Sequence, residues 1–304
     1  MDVFDPVTRQ GLPITNLFVF ELIVSALLLA LVGGWMFLAL ARFRARPGDS
    51  AEPRQIHGNT RLETIWTITP VVLLMVVFVL VVGTMRYVEA PSPNSQRLTI
   101  IGHQFWWEYQ YPDLQVITAN ELHVPQGTNL AIDLESADVV HSFWVPHFVY
   151  MRDLVPGQTN LLQVEVERAG TYVGACNQLC GAQHAWMRAR VTADPQDQFQ
   201  AWAQQQAQNA TSSNAPGEQV YRNNTCVNCH TIRGVSAMAN VGPDLTHMGS
   251  RTTLGAGVMD NTRDNLIRWI RDPQAIKPGV LMPSFQSLSD SDLSALADYL
   301  ESLR

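Results

Sequence analysis

Hydrophobic residues are concentrated near the N-terminus of the chain, in two nearly continuous stretches at 17–40 and 65–82. A helix rises about 1.5 Å per residue, so each stretch is long enough to cross the roughly 30 Å hydrocarbon layer of a membrane once. The pattern therefore predicts two transmembrane helices. A cleaved signal peptide is the alternative for the first stretch, but its start is acidic, its apolar part is too long, and a second span follows.

The charges that flank these stretches predict their orientation. The segment between them carries five arginines, at Arg42, Arg44, Arg46, Arg54 and Arg61. The outer flanks offer fewer, at Arg9, Arg86 and Arg97. Because short loops rich in Lys and Arg stay in the cytoplasm, we expect the loop there and both termini outside the membrane.

Beyond residue 90 the pattern changes to short segments in which apolar and polar residues alternate, for example 97–101, 130–134 and 162–167. This alternation predicts strands of an all-β domain. A short helix follows near residue 194, and then a segment rich in Gln, Asn, Ser and Ala that is typical of a linker. Helical periodicity returns after residue 218, and Ser289 with Asp292 predicts a capping box for the last helix.

We therefore expect a multidomain membrane protein with four segments. They are a two-helix transmembrane hairpin (1–90), an all-β domain (91–200), a linker (201–217) and an all-α domain (218–304). The composition is 46% hydrophobic with a net charge of −7, and a surface that binds phosphates needs basic residues. Nucleic acid is therefore not an expected partner.

All four cysteines lie in two clusters that also contain His and Met. The first cluster consists of His141, Cys176, Cys180, His184 and Met187. Thiolate is a soft donor, imidazole is borderline and thioether is a weak axial donor, so this set favours copper over magnesium or calcium. Two cysteines on one loop can share a pair of copper ions, and the main-chain carbonyl of Gln178 is a further candidate donor.

Two alternatives exist for this cluster. A Cys176–Cys180 disulfide is reasonable in an oxidising compartment, but it leaves the His and Met residues without a role. A tetrahedral zinc site could use the same Cys and His ligands, but it does not need Met187.

The second cluster, Cys226-Val-Asn-Cys229-His230, is the attachment motif of a c-type haem. Two thioethers hold the porphyrin and the adjacent His is one axial ligand. A redox-active dithiol is the competing interpretation of this spacing, but it gives the His no role and normally accompanies a βαβ pattern that is absent here.

The second axial ligand of the haem has several candidates, namely Met238, His247, Met248, Met259 and Met282. Met282 is favoured because Pro283 follows it in an irregular segment before the last helix. There a side chain can be held over the haem. The sequences Gly242-Pro-Asp-Leu and Lys277-Pro-Gly also resemble class I cytochrome c, in which the ligand is Met.

Four motifs resemble subunit II of cytochrome c oxidase: Gly102-His-Gln-Phe-Trp-Trp-Glu-Tyr, His141-Ser-Phe-Trp-Val-Pro, Asp153-Leu-Val-Pro-Gly and the loop from Cys176 to Met187. The likeness runs from the first apolar stretch to about residue 200. It implies a cupredoxin-like Greek-key barrel with the binuclear copper centre CuA. The ligands that it implies are His141, Cys176, Gln178 (carbonyl), Cys180, His184 and Met187. The added haem motif is similar to the caa-type oxidases, whose subunit II carries its own cytochrome c.

The chain departs from that family at two positions. The family usually has Glu at the position of Gln178, where the carboxylate helps to bind magnesium, and a neutral amide is a poorer ligand for a hard cation. A magnesium site is thus in doubt. The family's aromatic electron-entry run begins with Trp, whereas here Phe105 precedes Trp106 and Trp107.

Glu63 at the start of the second apolar stretch has two interpretations. The resemblance places it at the mouth of a proton path into subunit I. Alternatively, Thr60 and Glu63 form a capping box, and an acid at a helix N-terminus is favoured by the helix dipole.

Neither apolar stretch contains His, so a partner must house the oxygen-reducing site. The resemblance implies the electron-input subunit of a proton-pumping cytochrome c oxidase in a bacterial cell membrane. Its expected partners are subunit I with haem a-type and CuB sites, further oxidase subunits, and a donor such as cytochrome c or a quinol:cytochrome c reductase. The alternatives are an electron-input subunit of a nitric oxide reductase, or a membrane-tethered copper carrier.

Overall fold

A computed structural model describes residues 3–44, 48, 52, 55, 57–212, 214–236, 239 and 241–304. The chain forms two compact units, one of Leu12–Ala90 and one of Met1–Gly11 with Pro91–Arg304. Arg46, Arg54 and the haem-ligand candidate Met238 lie outside the described residues.

The two predicted membrane spans are helices. They are α1 (Gly11–Arg42) and α2 (Thr60–Val88), and both are long and apolar enough to cross a membrane. Most of their large apolar side chains are exposed, as a lipid-facing surface requires. The N-cap of α2 is Asn59 rather than the predicted Thr60, because the Asn59 side chain accepts from the N–H groups of Arg61 and Leu62. The Glu63 carboxylate accepts in return from the N–H of Asn59 at 3.2 Å.

The alternating region forms a sandwich of two five-stranded sheets, which we call the β domain. The strands are β1 (Gln96–His103), β2 (Trp106–Tyr111), β3 (Val116–Ala119), β4 (Glu121–Pro125), β5 (Asn129–Ser136), β6 (His141–Trp144), β7 (Met151–Leu154), β8 (Asn160–Glu165), β9 (Gly170–Cys176) and β10 (Arg188–Asp194). Their orders are β3-β2-β1-β5-β8 and β4-β10-β9-β6-β7. The pairs β1–β5 and β4–β10 are parallel and the other pairs are antiparallel. The two sheets confirm the predicted all-β domain.

The core of the β domain lies between the sheets, where alternate residues of each strand are buried, such as Leu130, Ile132 and Leu134 of β5. The chain before α1 also joins this core. Val7 is buried. Its N–H donates to the carbonyl of His147, and its carbonyl accepts from the backbone N–H of Glu167. The first residues of the segment predicted for the membrane therefore pack on the β domain.

Helices dominate the rest of the chain. They are α3 (Gln196–Gln206), α4 (Ala215–Asn223), α5 (Arg263–Arg271), α6 (Pro273–Ile276) and α7 (Asp290–Ser302), with a small hairpin of β11 (Thr253–Leu254) and β12 (Met259–Asp260). Among the described residues, 3₁₀ turns occur at Pro112–Leu114, Pro146–Phe148, His184–Trp186, Thr225–Asn228 and Met248–Ser250. Ser289 caps α7 by accepting from the N–H of Asp292, as predicted.

The part from α4 to the C-terminus has its own apolar core, and we call it the helical domain. Helix α4 packs on α7 at Gly217, where a Cβ would collide with the carbonyl oxygen of Ala295. Helix α3 packs Phe199 and Trp202 against the β domain. It ends at Gln206, inside the segment 201–217 that was predicted as a linker. The residues between α3 and α4 are 207–214.

Candidate copper centre and haem cavity

The first cysteine cluster converges at one end of the β domain. Cys176 ends β9, a loop follows through Cys180 to the 3₁₀ turn at His184, and Met187 immediately precedes β10. His141 begins β6, whose Phe143 pairs with Cys176 in the sheet. The strand pairing therefore brings His141 to a loop that lies 35 residues further along the chain.

The donor atoms of this cluster lie close together. The sulfurs of Cys176 and Cys180 are 3.9 Å apart, and both residues are free thiols, so the disulfide alternative is not found. His141 Nδ1 lies 3.9 Å from the Cys176 sulfur, and His184 Nδ1 lies 3.7 Å from the Cys180 sulfur. The Met187 sulfur is 3.9 Å from that of Cys180, and the Gln178 carbonyl oxygen lies 3.2 Å from the Cys176 sulfur.

This donor set fits copper. The two cysteine sulfurs lie at the middle of the site. The Cys176 sulfur faces the His141 imidazole and the Gln178 carbonyl, and the Cys180 sulfur faces the His184 imidazole and the Met187 thioether. Both cysteines, His141 and Met187 are buried, so the donors are shielded from water. Soft thiolates with imidazole and thioether are the ligands that copper prefers. The thioether has no counterpart among the usual zinc ligands.

Electrostatics also favour a cation between the two sulfurs. The hydrogen bond from the Cys180 thiol, opposed by burial, lowers the pKa of Cys176. The pKa of Cys180 is raised because the pair shares one proton and a second thiolate would be repelled by the first. A metal cation removes that repulsion and lets both sulfurs ionise.

The His141 ring is held by a carboxylate behind it. Its Nε2 lies 2.7 Å from Asp138 Oδ1, so Nδ1 faces the sulfurs. Burial opposes a charge on this imidazole, but the hydrogen bonds to Asp138 and Cys176 outweigh burial and raise its pKa. A carboxylate behind a ligating His is the usual way to orient it toward a metal. Gly102 makes room, since a Cβ there would lie 2.8 Å from His141 Cδ2.

The second cluster lies on the wall of a largely apolar cavity in the helical domain. Cys226, Cys229 and His230 all line it, as does Met282. The Nδ1 of His230 lies 2.7 Å from the Pro243 carbonyl, which leaves Nε2 for an axial bond. Burial lowers the pKa of His230, so the neutral ligand form is favoured.

Among the other described axial candidates, only Met248 also lines the cavity. Its sulfur is 3.7 Å from a guanidinium nitrogen of Arg251, from which it accepts. His247 instead faces the Gln208 carbonyl at 3.1 Å. The position of Met282 on the cavity wall therefore agrees with its choice as ligand.

Arg251, which the sequence analysis did not single out, supports an anionic occupant of this cavity. The residue lines the cavity, and its Nε is buried without a hydrogen-bond partner among the described residues. Burial lowers the pKa of its guanidinium, and a buried cation is stabilised by a negative partner. The carboxylates of a haem supply such a partner.

The cavity is closed on one side by the β domain. Gln104, Phe105 and Trp106 contribute to its wall, and the Gln104 side chain donates to the Cys180 carbonyl at 2.5 Å. Trp106 stacks on His103 with ring centroids 4.1 Å apart. Trp107 points instead into the core, edge-on to His141 at 6.0 Å. The aromatic run predicted for electron entry is thus divided between the cavity wall and the copper cluster.

Glu121 and Lys277 join the β domain to the helical domain, a role that the sequence analysis did not predict for either residue. Glu121 of β4 accepts from Thr252 and Thr253, and Lys277 donates to carbonyls of both domains. No local pattern indicates these contacts, because the partners lie 131 and 172 residues apart in the sequence.

Family models match three parts of the chain. "Cytochrome C oxidase subunit II, transmembrane domain" matches residues 5–83, "Cytochrome C oxidase subunit II, periplasmic domain" matches 115–193, and "Cytochrome c" matches 214–304. The periplasmic domain of cytochrome oxidase subunit II from Bradyrhizobium japonicum is similar at 26% identity with a TM-score of 0.37, over 38% of this chain and 95% of that one.

Relatives resemble the chain over most of its length. The cytochrome c oxidase subunit 2 of Alkalihalophilus pseudofirmus is 36% identical over 100% of this chain and 91% of the relative. That of Bacillus sp. strain PS3 is 32% identical over 86% of this chain and 80% of the relative. With its paired-cysteine loop and its haem motif, the chain therefore belongs to the cytochrome c oxidase subunit II family, in the form that carries a C-terminal cytochrome c domain.

Proposed function

We propose that this chain is the electron-input subunit of a respiratory haem-copper oxidase. In this proposal electrons pass from an external donor through covalent haem c to CuA, and then to the haem of subunit I, where oxygen reduction is coupled to proton pumping. The observation that carries the proposal is the shared wall of the two sites. Gln104 and Phe105 line the haem cavity, and the Gln104 side chain is hydrogen-bonded to the copper loop at Cys180.

We assign the copper pair to the donors that converge at the end of the β domain. They are His141, Cys176, Gln178 (carbonyl), Cys180, His184 and Met187. A bound copper pair supplies one-electron redox chemistry. The protein's contribution is to hold the ligands still, through the Asp138 contact to His141 and the packing of Trp107 and Phe143, whose centroids are 5.4 Å apart. Such a rigid and buried site lowers the reorganisation that accompanies a change of charge.

We assign the haem to the cavity of the helical domain. Cys226 and Cys229 would hold it through thioethers, and His230 and Met282 would bind the iron. Met ligation raises the potential of a haem relative to two His ligands, which suits a donor to copper. We propose no magnesium ligand at Gln178, because its amide is neutral and its side chain is exposed.

The chain is a membrane-anchored oxidase subunit with a periplasmic domain, and we propose that both termini lie on the periplasmic side, as the loop arginines favour. Partners of the family include subunit I and other oxidase subunits. We propose a cytochrome c, or a quinol:cytochrome c reductase, as donor to the haem.

A reciprocal pair of cysteine variants in the purified oxidase complex tests this function. Cys176→Ser should remove the near-infrared copper band but keep haem c absorption, and the donor should still reduce the haem while oxygen consumption is lost. Cys226→Ser, the matched control, should remove one of the two thioether bonds to the haem and keep the copper band. Oxygen consumption at the wild-type rate in Cys176→Ser would contradict the proposal.

A further inference from the structure

Lys277 is unusual in both its number and its place. It is the only lysine in the 304 residues, since the other basic side chains that carry a permanent charge are arginines. It is also among the fully buried side chains, with 2% of its surface exposed. Lysine is almost never fully buried unless its charge is matched by partners. A buried lysine does not contribute to the solubility of the surface, so its position depends on the partners of its amino group.

The partners of Lys277 are three backbone carbonyls. Its Nζ donates to Phe105 at 3.0 Å, to Trp186 at 2.9 Å and to Gly255 at 2.8 Å. An ammonium group has three N–H donors, so every donor has an acceptor. The first two acceptors belong to the β domain and the third belongs to the helical domain. A single buried ion thus joins both domains.

The two β-domain acceptors are parts of the site described above. Trp186 lies between the candidate copper ligands His184 and Met187, and Phe105 lines the haem cavity. Lys277 itself begins the segment that leads to Met282, the candidate iron ligand. Nearby, the Gln183 side chain donates to the Pro278 carbonyl at 2.5 Å. The segment that carries the axial Met is therefore tied directly to the copper loop.

We propose that Lys277 is a positioning residue for electron transfer, which fixes the haem-bearing segment of the helical domain against the copper loop of the β domain. The proposal rests on the proposed function for its kinetic consequence, but the burial of Lys277 between the domains can be tested separately. A compact ammonium can donate in three directions, whereas the planar fork of arginine suits a carboxylate. This difference explains a lysine here in a chain that otherwise uses arginine.

Other contacts agree with a fixed arrangement of the two domains. The N–H of Arg188 donates to the Ala256 carbonyl at 3.2 Å, and the buried residues Trp106, Ala119 and Ala256 form an apolar cluster across the boundary. These contacts are made by residues outside the segment from Lys277 to Met282. Lys277 is the ionic contact that connects that segment to the copper loop.

The first test uses amine-specific labelling of the intact wild-type complex. Reductive methylation modifies lysine and leaves arginine unchanged, so one peptide reports on Lys277 in this chain. Mass spectrometry should find Lys277 unmodified in the native complex and dimethylated after denaturation, while exposed lysines of the other subunits react in both samples. Equal modification of Lys277 in the native and denatured samples would overturn the proposal, whether or not the chain transfers electrons.

The second test compares Lys277→Met with Arg268→Met in the full complex. Both variants lose one positive charge, but Arg268 is exposed on α5. After flash reduction of the haem, electron transfer to copper should be slower by about tenfold or more in Lys277→Met, because displacement of reacting groups by about 1 Å is costly. Arg268→Met should match the wild type. The haem and near-infrared copper bands should be unchanged in both variants.

Each outcome of the second test is informative. A wild-type transfer rate in Lys277→Met with intact spectra would overturn the positioning role. If this variant does not assemble, the methylation result on the wild type decides. If the wild-type complex lacks a haem or copper band, the proposed function fails, and protection of Lys277 from methylation still tests the fixed contact between the domains.

Discussion

Replacing Glu121 with glutamine should loosen the contact between the β domain and the helical domain. The Glu121 side chain is buried, and its carboxylate accepts from four donors on two successive residues of the helical domain. The N–H groups of Thr252 and Thr253 donate at 3.0 and 2.8 Å, and their hydroxyls donate at 2.7 and 2.8 Å. Glutamine keeps the size of the side chain and removes the charge.

The loss can be worked out from these bonds. A hydrogen bond to a charged acceptor contributes roughly 1.5–3 kcal/mol, against about 0.5–1.5 kcal/mol for a neutral pair. The two hydroxyls can rotate to other partners, but the two backbone N–H groups cannot. A loss of about 1 kcal/mol at each N–H gives about 2 kcal/mol in total. Because about 1.4 kcal/mol is a factor of ten, the open state should become roughly 30-fold more populated.

Amide hydrogen exchange of the full chain in mild detergent measures this opening. Peptides that contain Thr252 and Thr253 should exchange roughly 30-fold faster in Glu121→Gln than in the wild type, since exchange follows the open population. The amide of Leu293, which donates to the Ser289 carbonyl at 3.0 Å in the first turn of α7, should be unaffected. Unchanged exchange at Thr252 and Thr253 would refute the reasoning, and equal acceleration at Leu293 would mean that the whole helical domain had been destabilised.

Three further predictions concern the haem, the membrane unit and pH. Met282→Leu keeps the apolar volume but removes the sulfur, so the covalent haem should remain while its potential falls, as a redox titration would measure; an unchanged potential would exclude Met282 as ligand. Glu63→Gln can still accept from the Asn59 N–H, so the helix content measured by circular dichroism should not change. We expect the Glu63 carboxyl group to carry protons, so proton uptake coupled to oxygen reduction should be slower in this variant. An unchanged uptake rate would leave Glu63 only its capping role. Burial opposes ionisation of Glu108, but the hydrogen bonds from His103 and Gln110 outweigh burial and lower its pKa. The stability that this carboxylate contributes is therefore present above the ordinary Glu pKa of about 4.3 and is lost as pH falls through the lower folded value. The difference in Tm between the wild type and Glu108→Gln should shrink on acidification. A difference that grows on acidification would contradict this prediction.

Local patterns in the sequence were enough to predict the classes of structure and the two redox motifs. Continuous apolar stretches give membrane helices because every backbone polar group in lipid must be paired within the helix. The donors of the copper loop and the haem motif are recognisable because most of them lie within a few residues of one another, and metal chemistry constrains their types. His141 is the exception, because it lies 35 residues before Cys176 and was grouped with the loop by its residue type rather than by close spacing.

Only the tertiary structure decided which residues join the two redox sites. Lys277 lies 172 residues from Phe105, and Glu121 lies 131 residues from Thr252, so no local spacing indicates either contact. The tertiary structure also assigned the cap of α2 to Asn59 and divided the aromatic run, with Phe105 at the haem cavity and Trp107 in the core. The physical reason is that burial of an ion depends on acceptors brought together by folding from distant parts of the chain, whereas membrane insertion and haem attachment depend on contiguous residues.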